Sequence, residues 1–280
     1  MDRDLVFAVL VAALCGGALM AVGWWPMGSA IRTERRFSER RMLWRLWLPF
    51  LPSALVLAVL VGWLLVEPAN AEPAPKALML TALPFALIFG RAVWRATQAL
   101  TISTQSLTIG TVGFFRPRIV VSPQFAAAID RDALAAALTH ERAHVAHRDP
   151  LRLWIVQFAT ELQWPAPAAV ARLRSWKAAL EIARDDEARS CGIAGPDLAA
   201  AILAAIRLSP GTAPVTAATL ADETFIRERV ARLLQPLEAE ASVESRLAPI
   251  LLLVSLGIPL AVMLGVRFGE RLIGSLLRVT

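Results

Sequence analysis

Three stretches of this chain carry no charged side chain: Leu5 to Ile31, Leu46 to Val66 and Leu247 to Val266. Each reaches or exceeds the roughly 20 residues a helix needs to cross the hydrocarbon core of a bilayer. A fourth uncharged run, Ala77 to Gly90, is shorter. It spans only if Lys76 and Arg91 reach back to the interface, or if the helix continues to Trp94. At 56% hydrophobic residues, the chain is too apolar for an ordinary soluble domain of its length. These features predict membrane spans over residues 5–25, 46–66, 77–94 and 247–266, with a short tail at 267–280. The opening Met-Asp-Arg-Asp lacks the positive start of a signal peptide, so the first block reads as a retained anchor.

The net charge of +6 is concentrated rather than spread. Arg32, Arg35, Arg36, Arg40, Arg41 and Arg45 stand against only Glu34 and Glu39 in the loop after the first span. Short loops rich in arginine stay cytoplasmic. The next loop, Glu67 to Lys76, holds one cation and belongs outside. The amino terminus is therefore expected outside, and the soluble region after the third span is expected in the cytoplasm at the inner membrane. Arg267, Arg271 and Arg278 in the tail oppose this orientation mildly. A charge placed this way points to topology, and no direct nucleic-acid binding is expected. The two cysteines, Cys15 in the first span and Cys191 in the soluble region, imply no disulfide framework, and Cys191 is expected to be a small buried hydrophobe.

Residues 96–246 are long enough for one domain, after a membrane region at 1–95. Leu100 to Ile109 roughly alternates apolar and polar residues, and Arg118 to Val121 is short and β-branched, so a small sheet or hairpin is expected. Asp130 or Asp132 can cap a helix running to about Arg148, with Pro150 at its end. Further helices are expected over 151–163, 168–190, 197–208 and 222–234.

All three histidines fall within eight residues of that capped helix, and two of them form His140-Glu141-x-x-His144. Chance produces this pattern roughly 0.002 times in such a chain. Residues four apart share a helix face, so both imidazoles can reach one metal, and Glu141 lies beside it. A carboxylate there can take a proton from metal-bound water. Zinc requires a third protein ligand, and Glu181 is the best candidate, with Asp185 four residues on as a partner that orients a ligand histidine. The rival readings are a solvated acidic patch, and His147 as third ligand. His147 shares the histidine face, but its Cα lies about 10.5 Å along the helix axis from that of His140. The chain has no tyrosine to stabilise an oxyanion, which leaves Arg184 and Arg189 as candidates by charge alone.

The text Gly113-Phe-Phe-Arg-Pro-Arg-Ile-Val-Val121, His140 to Asp149, Gln163-Trp-Pro-Ala-Pro167 and Glu181 to Ala188 resembles the integral-membrane zinc peptidases of the β-lactam sensor and methicillin-resistance antirepressor family. The likeness covers about residues 90–235. It implies a mostly α protein, with multi-span membrane helices and a cytosolic α+β gluzincin-like zinc peptidase domain bearing a small β-sheet. It implies His140, His144 and Glu181 as ligands of Zn²⁺ and Glu141 as catalytic base. Sensors of that family continue into an extracellular penicillin-binding domain. Only 14 residues follow Val266 here, so this chain is expected to lack that domain and to leave sensing to a separate partner.

The resulting expectation is a membrane-anchored zinc endopeptidase that cleaves a protein at the cytoplasmic membrane face in signal-dependent regulation. Its substrate would be a transcriptional repressor or a membrane protein. The competing expectation is a non-catalytic membrane signalling or scaffold protein with a structural zinc, for which four ligands and no open position would speak.

Overall fold

The computed structural model describes residues 3–23, 39–66, 76–100, 108–208 and 217–236. The fourth predicted span, the tail and most of the predicted 100–109 strand lie outside these residues. So do the first arginines of the basic loop and the final residues of the first span.

The chain is mostly helical. Helix α1 (Arg3–Leu10) runs through a π-helical turn, Val11–Cys15, into α2 (Gly16–Gly23). Helix α3 (Glu39–Trp47) and α4 (Phe50–Val66) meet at Leu48–Pro49 with a 46° bend, and α5 spans Lys76–Leu100. Strands β1 (Ile109–Val112) and β2 (Arg118–Val121) follow, then α6 (Pro123–Ala128), α7 (Arg131–Ala146), α8 (Asp149–Glu161), α9 (Pro167–Ser190), α10 (Gly195–Leu208) and α11 (Ala217–Leu233).

Among the described residues no single helix is long and apolar enough to cross a membrane; the bent α3–α4 pair is, by length and composition. The predicted 46–66 span thus begins in the last turn of α3 and breaks before α4 becomes continuous. The 77–94 segment lies within α5. There Arg91 does not reach back along the helix; it pairs with Glu161 of α8 at 2.5 Å and lies over the Trp164 ring.

The second half of the basic loop is the main departure from expectation. Glu39 to Trp47 is a helix whose Met42 and Leu46 are buried against Val156, Leu173, Trp176 and Leu180 of α8 and α9. The arginines at 40, 41 and 45 alternate with those apolar positions at helical spacing. The segment is therefore amphipathic and has a face to bury.

Local signals account for most other boundaries. The strands pair antiparallel, Ile109 with Val121 and Thr111 with Ile119, so the second strand lies where the β-branched run Arg118 to Val121 was expected. Gly113, at φ +94°, makes the turn. The Asp130 carboxylate accepts from the Ala133 amide at 2.7 Å and starts α7, while Ser122 does the same for α6. Ala133, Ala136 and Ala137 present a flat face on which Leu198, Ala199 and Ala201 of α10 pack. Gly192, at φ +90°, ends α9. Cys191, expected to be buried, is exposed at that end, because it falls on the outer side of the terminating turn.

Candidate metal centre and active site

Helix α7 places His140 and His144 one above the other on its buried face, and their Nε2 atoms converge at 3.0 Å. Glu181, from the middle of α9, brings its carboxylate to 3.5 Å from the His140 Nε2 and 3.8 Å from the His144 Nε2. One ligand atom from each residue lies within 4.8 Å of the others, and among the described residues this group has three members. Two imidazole nitrogens and one carboxylate form a donor set that suits zinc.

The other nitrogen of each ring faces a buried carboxylate. His144 Nδ1 donates to Asp149 at 2.9 Å, and His140 Nδ1 lies 3.0 Å from Asp185. Such partners fix ring orientation and turn each Nε2 lone pair inward. Asp149 reaches His144 because Arg148 adopts the left-handed conformation at φ 52°, which reverses the chain between α7 and α8.

The site is strongly polarised. Burial opposes protonation of His140, but the Asp185 and Glu181 carboxylates prevail and raise its pKa to about 9. Burial likewise opposes ionisation of Glu181, yet His140 and Arg229 lower its pKa to about 2. Asp149 and Asp185 are also held below the usual carboxylate range, against their burial, by His144 with Arg184 and by Arg229 with His140 respectively. The facing Nε2 atoms of His140 and His144, with the Glu181 carboxylate, mark the place where these donors would hold a cation.

Glu141 follows His140 and stands beside the cluster. Thr111 of β1 donates its hydroxyl to the Glu141 Oε2 at 2.7 Å, which leaves the second oxygen free of that bond. His147 lies away from the cluster: it is half exposed and meets Glu187 at 3.1 Å. Neither arginine singled out by charge faces the reacting region. Arg184 is buried on Asp149 and Glu187, and Arg189 donates to the Gln235 carbonyl.

Arg229 of α11 does face it. Its guanidinium clasps Asp185 at 2.5 and 2.8 Å, reaches Glu181 at 2.9 Å and lies 3.3 Å from the His140 Nε2. Nothing local marks Arg229, 44 residues beyond Asp185, among 29 lysines and arginines. Gly195 helps to seat it, since a Cβ there would collide with the Leu233 carbonyl at the end of α11. Asp149 had a local signal: an acidic residue just before Pro150, five after His144. Thr111 had none beyond its strand.

A paired histidine helix, a carboxylate from a second helix and an adjacent glutamate define a metallopeptidase-type centre. The profile of the BlaR1 peptidase M56 family matches residues 91–233, and the chain belongs to that family, which supports a metallopeptidase function. No curated protein and no solved structure matches the chain.

Proposed function

We propose that this protein is a membrane-anchored zinc endopeptidase that cleaves a protein substrate at the cytoplasmic membrane face. The observation that carries the reading is the convergence of His140, His144 and Glu181, with Glu141 alongside, in a chain of this family. Zinc held there supplies Lewis acidity and a water of lowered pKa. Glu141 accepts the proton from the attacking water and returns it to the leaving amine. Thr111 holds one carboxylate oxygen and so presents the other. Asp149 and Asp185 keep both imidazoles aimed inward. Arg229 balances Asp185 and Glu181, so that two carboxylates one helical turn apart can both stay ionised. Substrate can enter as a strand added to the β1–β2 hairpin next to Glu141.

Outward-facing Leu57, Val59 and Val61 on α4, and Leu80, Leu83, Leu87 and Phe89 on α5, support contact with lipid. The basic residues of α3 favour the cytoplasmic side for the domain, read as residues 96–246. A repressor or a membrane protein fits as substrate, under the control of a separate sensor. A three-member donor group beside an intact Glu141 favours catalysis over a structural zinc.

Comparative proteomics of cells carrying the intact chain or Glu141→Gln tests the reading. At least one protein should be shortened only by the intact chain; identical fragment patterns would refute it. Zinc content separates the ligand roles: Glu181→Ala should lose most metal, and Asp185→Ala should keep zinc with affinity lowered about 10- to 100-fold.

A further inference from the structure

The carboxylate that backs His144 is itself held by two arginines. Fully buried Asp149 accepts from Arg184 at 2.6 and 3.2 Å, and from Arg152 at 2.8 Å. Both arginines then converge on one further carboxylate. Arg152 pairs with one oxygen of Glu39, and Arg184 lies 3.5 Å from the other. Glu39 opens α3, is mostly buried, and lies outside the segment that matches the peptidase family. Its helix is seated on α8 and α9 through Met42 and Leu46.

We propose that Glu39 is a positioning residue of the metal centre, acting through Arg152 and Arg184 on Asp149 and thereby on the His144 imidazole. The reason is electrostatic and geometric together. Glu187 also holds Arg184, at 2.9 Å, but it is more exposed and shared with His147. Removing the Glu39 charge leaves Arg152 and Arg184 with one carboxylate fewer to share between them. Both guanidiniums then draw more heavily on Asp149, which becomes a weaker acceptor for His144 Nδ1–H. Completion of the centre thus rests on a helix that leads, across Leu48 and Pro49, straight into apolar α4.

The inference rests on the zinc reading, and zinc itself is the probe. Affinity of the full chain in detergent would be measured by competition with a chromophoric chelator for wild type, Glu39→Gln, Asp149→Asn and the double variant. Glu39→Gln should weaken zinc about 3- to 10-fold, less than the loss typical of a direct ligand partner. In the Asp149→Asn background the same change should cost less than about twofold, because the route runs through Asp149. Should Glu39→Gln not fold, Glu39→Asp replaces it, with an expected loss of about two- to threefold that again vanishes without Asp149. Unchanged affinity on altering Glu39, or an equal loss in both backgrounds, overturns this inference alone. Wild type that binds no zinc overturns the zinc reading and the inference together.

Discussion

His144 Nδ1 donates to Asp149 Oδ2 at 2.9 Å, and Asp149 is wholly enclosed by protein. The bond joins the end of α7 to the start of α8 across a left-handed Arg148. Asp149→Asn should therefore lower zinc affinity about 10- to 100-fold. It should also destabilise the fold by about 1–3 kcal/mol, because buried Arg184 keeps Glu187 and Glu39 but loses the charge of its nearest carboxylate. Chelator competition and denaturant unfolding would read the two effects; a variant that loses neither would show that the pair is incidental.

Metal binding should release a proton. With its pKa raised to about 9, His140 is protonated at neutral pH in the metal-free fold, and a metal must displace that proton. Zinc affinity should rise by about tenfold per pH unit from neutrality and flatten above about pH 9. For the metal-free protein the sign is opposite. A histidine pKa raised above its unfolded value adds stability below that value, and this stability is lost as pH rises through about 9. Calorimetry in buffers of different ionisation heat would count the proton; no buffer dependence at pH 7 would contradict a protonated His140 in the metal-free fold.

Thr111 should matter to turnover and not to metal. Thr111→Val removes a hydroxyl donated to the Glu141 carboxylate, a bond class worth about 1.5–3 kcal/mol. A fall in kcat of about 10- to 100-fold is expected, with zinc content intact and Thr111→Ser close to wild type. Equal losses in Ser and Val would mean that the methyl group, and not the hydroxyl, is what counts.

Arg229→Gln leaves Asp185 and Glu181 without their shared cation. Zinc affinity should fall about tenfold, and Arg229→Lys should restore only part of it, since a single ammonium cannot reproduce the two-sided clasp. Lysine as good as arginine would reduce the role to bare charge.

The H-E-x-x-H pair was legible from sequence because it depends only on helix periodicity: four residues apart is one face wherever the helix lies. Asp130 as cap, Gly192 as terminator and the small alanine face of α7 were legible for the same local reason. Glu181 and Asp185 could be paired by their spacing, but only the crossing of α9 over α7 brought them to the histidines. Of the expected sheet, Arg118 to Val121 was legible as a short β-branched run, whereas its partner Ile109 to Val112 was chosen by the pairing across Gly113. Arg229, Thr111 and Glu39 stand 89, 30 and 113 residues from the groups they serve, His140, Glu141 and Arg152. Sequence alone thus determined the helix that carries both histidines and the glutamate between them, since those are set within one turn of backbone. Tertiary structure decided which charges neutralise the centre, because that depends on which distant helices share its buried space.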